Sequence, residues 1–563
     1  MLSVRLVALA SLAALLVTPG PARAQATLSG QVTAAQDGAL EGVLVSAKKA
    51  GGFITVTVVS DKDGHFAFPA GRLASGQYNL RIRAVGYDLE GPKTVEVAAD
   101  QPTTIDLKLR KARNLAAQLS NTEWLMSVPG TDAQKSSLLN CVGCHTLDRP
   151  LSSRYTADEL VDVLKRMAGY AQVSTPMMPQ RLIGGQPLTA TPEAMQKQAA
   201  WLATVNLSES PTHDYALKTL PRPSGAATRV VITEYDLPRP TLQPHDVLVD
   251  RDGIAWFSSF GEQNLGRFDP KTGELKEFPL PKLKEGAPTG LLDLERDRDG
   301  NLWLANMFQG AIHRFDRKTE KFQTFQVPPE LNNNRTQINM VAADNSAVDG
   351  KVWTFDVGSV SLFRVDVASG KFEVFSPYRD LPKDSPFAGP PHGIYGIASD
   401  SGNNVYFTDF ADRKASSVGR IDAKTGQVTL YPVPTEFARP RRVMVDAQDR
   451  FWFAEYRGNK VGVLDPKTGA IKEWDAPTPW SGPYHVDLDK SGGIWTAGMT
   501  SDRVVRFDPA SQKTIEYLLP RETNVRRVFV DNSATPPAFW VGSNHGASIV
   551  RLEPLDETPP KSQ

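Results

Sequence analysis

Phe451-Trp452-Phe453-Ala454-Glu455, followed by Asn459-Lys460-Val461-Gly462, is one copy of a pattern that recurs through the C-terminal part of the chain. An aromatic residue within an apolar strand returns at Trp256, Trp303, Trp353, Tyr406, Trp452, Trp495 and Trp540, at intervals of 43 to 53 residues. This is the period of a four-stranded propeller blade, a unit that cannot bury its faces without neighbours. Each copy opens on a turn such as Asp252-Gly253 or Asp299-Gly300 and continues into the aromatic strand. A strand such as Gly266-Arg267-Phe268-Asp269 or Gly419-Arg420-Ile421-Asp422 follows, and then an outer strand ending in proline, as in Glu277-Phe278-Pro279-Leu280-Pro281. There are seven copies. The seventh stops after Arg551-Leu552-Glu553, whereas Thr233-Glu234-Tyr235-Asp236-Leu237-Pro238 is an outer-strand sequence ahead of the first. The two ends are expected to complete one blade and close a seven-bladed ring without free edges. The turn aspartates are read as hairpin residues.

Upstream, from about Asn114 to Ser208, the periodicity is helical. Thr156-Ala157-Asp158-Glu159 is a capping box for a helix whose Leu160, Val163, Leu164 and Met167 share a face. Thr191-Pro192 starts another helix, running to about Leu207 with Trp201 and Leu202 inward. Ahead of both lies Cys141-Val142-Gly143-Cys144-His145. Two thiols at this spacing add to the two vinyl groups of haem, and the adjacent imidazole meets the iron from one side. The chain has 2 cysteines, so a zinc site or a disulfide framework lacks partners, and one covalent haem c is the expected cofactor. The segment resembles the cytochrome c family over Asn114 to Ser208. That resemblance implies a sixth ligand from a downstream loop. Ser174-Thr175-Pro176-Met177-Met178-Pro179 offers Met178, with Met177 as the alternative, and a thioether favours ferrous iron. Met126, Met167 and Met195 are read as core, and His213 and an open sixth position stay as further options.

Thr27 to about Lys111 reads as short β-prone runs, such as Thr55-Val56-Thr57-Val58-Val59, between glycine turns. Ser29-Gly30-Gln31-Val32, Gly42-Val43-Leu44-Val45, Asp63-Gly64-His65-Phe66 and Gly86-Tyr87 resemble the carboxypeptidase regulatory-like domain. That resemblance implies an immunoglobulin-like accessory module without catalytic residues. Asp61-Lys62-Asp63-Gly64 is read as a hairpin turn rather than a calcium loop. At the N-terminus Arg5, the apolar run Leu6 to Val17 and Ala22-Arg23-Ala24 have the form of a cleaved signal peptide. The mature protein is therefore expected in the periplasm or otherwise exported, with no integral membrane segment. The 63 basic and 63 acidic residues balance, which leaves no bulk attraction to nucleic acid. The expected chain is multidomain and mainly β. It comprises a signal peptide at 1–24, a small immunoglobulin-like β-sandwich at 25–112, an all-α cytochrome c domain at 113–208, a linker at 209–228, the seven-bladed β-propeller at 229–555 and a tail at 556–563.

Inner strands line a propeller's channel, and here their first positions are polar: Pro244-His245-Asp246, Pro391-His392-Gly393, Arg441-Arg442, Tyr484-His485 and Arg526-Arg527. The aromatic strands end on Ser259, Asn306, Asp356, Asp409 and Glu455. His245, His485, Arg442 and Arg527 are the candidate catalytic residues, with ion pairing between blades and turn capping as the competing reading. His313 and His545 are read as outer or loop residues without a role. From about Val230 to Glu553 the repeat resembles the virginiamycin B lyase family, on Phe451-Trp452-Phe453-Ala454-Glu455 with Asn459-Lys460-Val461-Gly462 above all. That resemblance implies magnesium and a general-base histidine near the channel. The family's last-blade Glu-Pro-His is replaced here by Asn524-Val525-Arg526, which argues against streptogramin cleavage.

Three functions follow from these readings. The first is an exported c-type cytochrome that transfers electrons to a periplasmic carrier or oxidase and oxidises a small molecule at the channel. The channel arginines would suit an anionic substrate or the carboxylates of a quinone. The second is a lyase assisted by a divalent cation, with His245 or His485 as base. The third is a non-enzymatic electron-relay scaffold.

Overall fold

The computed structural model describes residues 27–99, 101–183 and 191–555, so the signal peptide and the tail expected from the sequence lie outside the described residues. The sheets form seven four-stranded blades. Their inner strands are Pro244–Val249, Leu291–Arg296, Ile338–Ala342, Ile394–Ser399, Pro440–Val445, Pro483–Leu488 and Val525–Asp531. Each packs on the next, and the last packs on the first, which closes the ring. In blades one, two, five and six the turn aspartate clamps the aromatic strand. Asp250, Asp297, Asp446 and Asp489 accept the indole N–H of Trp256 (3.0 Å), Trp303 (3.0 Å), Trp452 (2.8 Å) and Trp495 (2.9 Å), each six residues on. The same side chains cap turn amides, as when Asp250 accepts from Asp252 and Ile254. The recurring glycine of the third strand has a steric cause: a Cβ on Gly266 would stand 2.2 Å from the Phe257 ring.

Blade seven closes as its sequence implies. Val230–Asp236 is its outer strand, antiparallel to Ser548–Pro554 from Val230↔Pro554 to Asp236↔Ser548. The other edge of Val230–Asp236 is also occupied, by Ile54–Val59 of the N-terminal domain, so blade and domain form one eight-stranded sheet. Ile54–Val59, Leu44–Lys49, Gly76–Arg83 and Thr94–Val97 make that side of the domain. A second sheet around Leu28–Ala34 and Leu107–Lys111 packs on it over Val32, Val45, Phe66, Phe68 and Leu80. The seam strand serves two cores: Val231 is buried in the sandwich, whereas Ile232, together with Leu44 and Val59 of the sandwich, joins the core of blades six and seven.

Between sandwich and ring lie the helices Asn121–Ser127, Asp132–Leu138, Asp148–Leu151, Ala157–Ala168 and Pro192–Ala203. The Thr156–Glu159 capping box forms, and Thr191 caps the last helix with Pro192 in its first turn. No helix among the described residues is long and apolar enough to cross a membrane. The stretch read as a linker is held throughout. Lys218 N–H donates to Ser127, Leu220 N–H to Glu123, Arg222 to the Glu41 carbonyl and Gly225 N–H to the Glu41 carboxylate. The buried residues of the helical segment, Trp124, Val142, Leu147 and Leu202 among them, form one continuous core with Phe260, Met307, Tyr395, Tyr484 and Met499 of the propeller.

Candidate functional site

Every inner strand slips register against its neighbour two residues after its start: Pro244/Val247, Leu291/Leu294, Ile338/Val341, Ile394/Ile397, Pro440/Val443, Pro483/Val486 and Val525/Val528. A bulge of this kind re-aims side chains. The released pairs are His245-Asp246, Leu292-Asp293, Asn339-Met340, Tyr395-Gly396, Arg441-Arg442, Tyr484-His485 and Arg526-Arg527. Their contacts sort them into two layers.

Among the second members, Asp246, Asp293, Arg442 and Arg527 form an ion-paired layer. Arg442 donates to Asp246 at 2.7 and 2.8 Å and also to Asp293, and all three side chains are fully buried. Arg527 pairs with Glu295 at 2.7 Å and with Asp246 at 3.4 Å. The carboxylates also staple the next blade, Asp246 accepting from Leu294 N–H at 3.1 Å and Asp293 from Val341 N–H at 2.8 Å. Burial alone would raise the Asp246 carboxyl, but Arg442, His245 and Arg527 hold it down, whereas for Asp293 burial wins and the carboxyl is pushed up. His485 lies in this layer with its Nδ1 unpartnered, and burial together with Arg527 and Arg442 holds its imidazole neutral.

The first members form a layer of aromatic rings and arginines. The Arg441 guanidinium stands 4.0 Å from the Tyr484 ring, 4.6 Å from Tyr456, 4.7 Å from Phe410 and 4.8 Å from Tyr395. Arg526 lies 5.1 Å from the Phe260 ring and 5.5 Å from Tyr484. Tyr395 and Tyr484 share a short hydroxyl hydrogen bond, and Tyr484 Oη is 3.3 Å from His245 Nε2. His245 joins the layers, its Nδ1 being 2.7 Å from Asp246. Burial lowers the His245 imidazole to about 3, against the pull of Asp246, so the ring is neutral. Burial would raise the Tyr484 phenol, but Arg441, Arg526 and Arg442 bring it below its ordinary value.

The Cys141–His145 loop rests on this second layer. Asn524 donates to the Val142 carbonyl at 2.8 Å, Arg526 donates to the Gly143 carbonyl at 3.1 Å, and His545 Nε2 lies 3.1 Å from that same carbonyl. The methionine loop is pinned nearby: Gln180 donates to the carbonyls of Gly261 (2.8 Å) and Thr289 (3.1 Å), and Gln243 donates to Val173. Met178 is half-buried with its sulfur toward Gly261, whereas Met177 is 62% exposed. No disulfide joins Cys141 to Cys144. Burial pushes Cys141 up to about 12 and raises Cys144, against the pull of Arg526. His145 Nδ1 lies 2.9 Å from the Thr146 carbonyl, which fixes the tautomer and leaves the Nε2 lone pair free, as an axial ligand requires.

The apolar face read from the sequence is only partly covered in this structure. Of the face Leu160, Val163, Leu164 and Met167, Leu160 alone is buried, and Met167 is 37% exposed. The buried Trp124 indole N–H has no partner. His213 spends Nε2 on the Leu151 carbonyl at 3.0 Å.

Several candidates lie elsewhere than the sequence suggests. His392 stacks on Tyr378 at 3.9 Å and bonds Asp409, in a loop rather than in the channel layers. His313, read as an outer residue, is fully buried inside blade two between Thr324 and Asn306. His545 is the loop residue expected, but it touches the cysteine motif. Register places the aromatic-strand ends beside the inner-strand starts, as in Pro244↔Ser259 and Pro440↔Glu455, so both polar sets share one end of the channel. Asp356 and Asp409 there cap loop amides rather than forming an acidic ring. Among the described residues, the group of carboxylate and imidazole side chains whose ligating atoms converge is the exposed Asp61, Asp63 and His65, in the sandwich and not in the channel. There Asp61 Oδ1 accepts the turn amides of Asp63 and His65.

Residues 381–558 match the virginiamycin B lyase family, and residues 27–110 match the carboxypeptidase regulatory-like domain. No curated protein matches the chain. Among solved structures, virginiamycin B lyase from Staphylococcus aureus is similar at 20% identity over 57% of this chain and 99% of that one, with a TM-score of 0.47. A streptogramin B lyase structure is similar at 23% identity over 59% of this chain and 99% of that one, with a TM-score of 0.48. The chain thus pairs a carboxypeptidase regulatory-like domain with a seven-bladed β-propeller whose C-terminal part, residues 381–558, is virginiamycin B lyase-like.

Proposed function

We propose that the protein is an exported single-haem c-type cytochrome whose haem segment is seated on the mouth of a propeller, and that it carries electrons from a small molecule at that mouth to a separate electron carrier. The observation that carries this reading is the seating of the Cys141-x-x-Cys144-His145 loop on Asn524, Arg526 and His545. Cys141 and Cys144 would hold the haem, and His145 Nε2 with Met178, or Met177, would ligate its iron. When bound, haem supplies a one-electron iron centre. Arg526 contacts both the motif backbone and the Tyr484 face, so a molecule at the mouth would lie against the haem segment. The test is visible spectroscopy of protein made in a haem-maturing host. Wild type is expected to carry covalent haem, and Cys141→Ala/Cys144→Ala none. Met178→Ala is expected to lose the thioether-ligation spectrum, while Met177→Ala retains it. Anaerobic titration of the oxidised protein with periplasmic metabolite fractions should reduce the haem. Haem-free wild type would sink the cytochrome reading, and reduction by ascorbate but by no fraction would sink substrate oxidation.

The lyase-family match over residues 381–558 supports a second reading, a lyase with His245 or His485 as base. It predicts turnover that survives loss of Cys141 and Cys144 and is abolished by chelation.

A further inference from the structure

Arg441 and Arg526 differ from their sequence neighbours in what surrounds them. Arg442 and Arg527 are matched by Asp246, Asp293 and Glu295. Arg441 is 8% exposed and Arg526 3% exposed, and among the described residues neither has a carboxylate within ion-pair distance. Arg441 Nη1 points to the Met499 sulfur at 3.4 Å and Nη2 to Tyr395 Oη at 3.4 Å, both weak partners, and its Nε has none. Arg526 spends its donors on the neutral Asn524 side chain and the Gly143 carbonyl. Two buried guanidinium charges lie against one tyrosine ring without a counter-ion, an arrangement whose desolvation cost demands an anion.

Two anions are available in principle: the Tyr484 phenolate, or a ligand. The hydrogen bonds decide between them. Ionised Asp246 can only accept, so His245 must donate from Nδ1 across their 2.7 Å contact. Neutral His245 then has Nε2 as an acceptor, and the Tyr484 O–H donates to it, while Tyr395 donates to Tyr484. Tyr484 therefore keeps its proton, although Arg441, Arg526 and Arg442 draw its phenol below the ordinary value. The counter-charge must come from outside the chain. Half-exposed Arg439 and Phe410 lead to the spot from solvent, Arg439 standing 4.3 Å and Arg441 4.7 Å from the Phe410 ring.

We propose that Arg441 and Arg526, both against the Tyr484 ring, form a binding site for a small carboxylate at the channel mouth. The fork of donors on each guanidinium suits a planar carboxylate, and Tyr395, Phe410, Tyr456 and Phe260 supply apolar walls. This deepens the proposed function by naming the substrate class at the same mouth. A haem propionate carries the same chemistry, so the test separates the two sources.

The measurement is NMR of the full-length ferrous holoprotein labelled with 13C at tyrosine Cζ, with Tyr484 assigned from the signal absent in Tyr484→Phe. Acetate and benzoate are expected to shift the Tyr484 signal saturably, and acetamide and benzamide to leave it unmoved. Arg441→Gln and Arg526→Gln are expected to weaken the response about tenfold or more, and Arg441→Lys, which keeps the charge, to weaken it less. A response confined to the full-length Cys141→Ala/Cys144→Ala protein would assign the site to the haem's own propionate, and a response in the holoprotein to a free carboxylate. The proposal is overturned if both proteins are silent, if the amides act as well as the acids, or if Tyr484 stands at the phenolate position at neutral pH before any acid is added. No readout depends on turnover, so failure here is distinct from failure of the cytochrome reading.

Discussion

Arg441 and Arg442 are adjacent and chemically identical, yet the fold puts them to different uses. Arg442 is paired with two buried carboxyl groups, while Arg441 sits in rings without one. Arg442→Met should leave Asp246 and Asp293 uncompensated and cost about 3–5 kcal/mol of stability, whereas Arg441→Met, which removes a buried unpaired charge, should be neutral or stabilising. Thermal and denaturant unfolding of the two variants would check this, and equal losses would refute the layer assignment. The sequence announced the tandem arginines and the Tyr484-His485 pair as channel residues. It pointed to Arg442 and Arg527, however, where the carboxylate-free members are Arg441 and Arg526. Which residue of a pair faces which layer depends on the bulge, and a bulge with no fixed residue signature cannot be read from composition. The spacing of the cysteine motif names the chemistry it would carry, but nothing in it says where the loop is seated. The part of His545 was not legible either, since a lone loop histidine carries no record of what packs on it.

At the scale of the element, Val230–Asp236 is the informative strand. Its outer-strand sequence was legible and its closing partner followed from the missing strand of the seventh copy, but its pairing with Ile54–Val59 was not. Two β-prone runs far apart in sequence have no local mark that says they meet. The contacts of the segment from Pro211 to Gly225 are hidden for a related reason: proline, serine and glycine signal irregular backbone, not absence of contacts, and here the amides of Lys218, Leu220 and Gly225 donate to Ser127, Glu123 and Glu41. Thr233 pairs with Arg551 on one side and Val56 on the other, so Thr233→Pro removes a donor from a strand with two neighbours. The expected result is a loss of about 3 kcal/mol or more, with ring closure and sandwich docking failing together. Limited proteolysis should then cut both the sandwich–ring junction and the last blade, and cleavage at one alone would contradict a shared seam.

Across the whole molecule, buried groups with displaced titrations set the response to pH. Burial lowers His313 to about 4 and His545 to about 4, below the ordinary histidine value of 6.5. The unfolded chain therefore takes up these protons first, so the stability they contribute is complete above pH 6.5 and is lost as pH falls toward about 4. For His313 the loss is up to about 3 kcal/mol. Glu455 has the opposite sign: burial and Glu473 push it up to about 9, so stability is lost as pH rises from 4.5 toward that value. Unfolding measured across pH should show a shallower acid slope in His313→Gln and a shallower alkaline slope in Glu455→Gln. Unchanged slopes would mean that neither group is titrating where it lies.

The shared seam also bears on the order in which the chain is made. Val230–Asp236 leaves the ribosome about 310 residues before Ser548–Pro554, the strand it must finally meet. A lone outer strand would spend that interval with both edges bare, open to mispairing with any blade that emerged in between. Ile54–Val59 is already present when it appears and covers one edge. Through that pairing the sandwich would hold the first piece of the last blade in place until the C-terminus arrives, giving the ring a fixed starting edge.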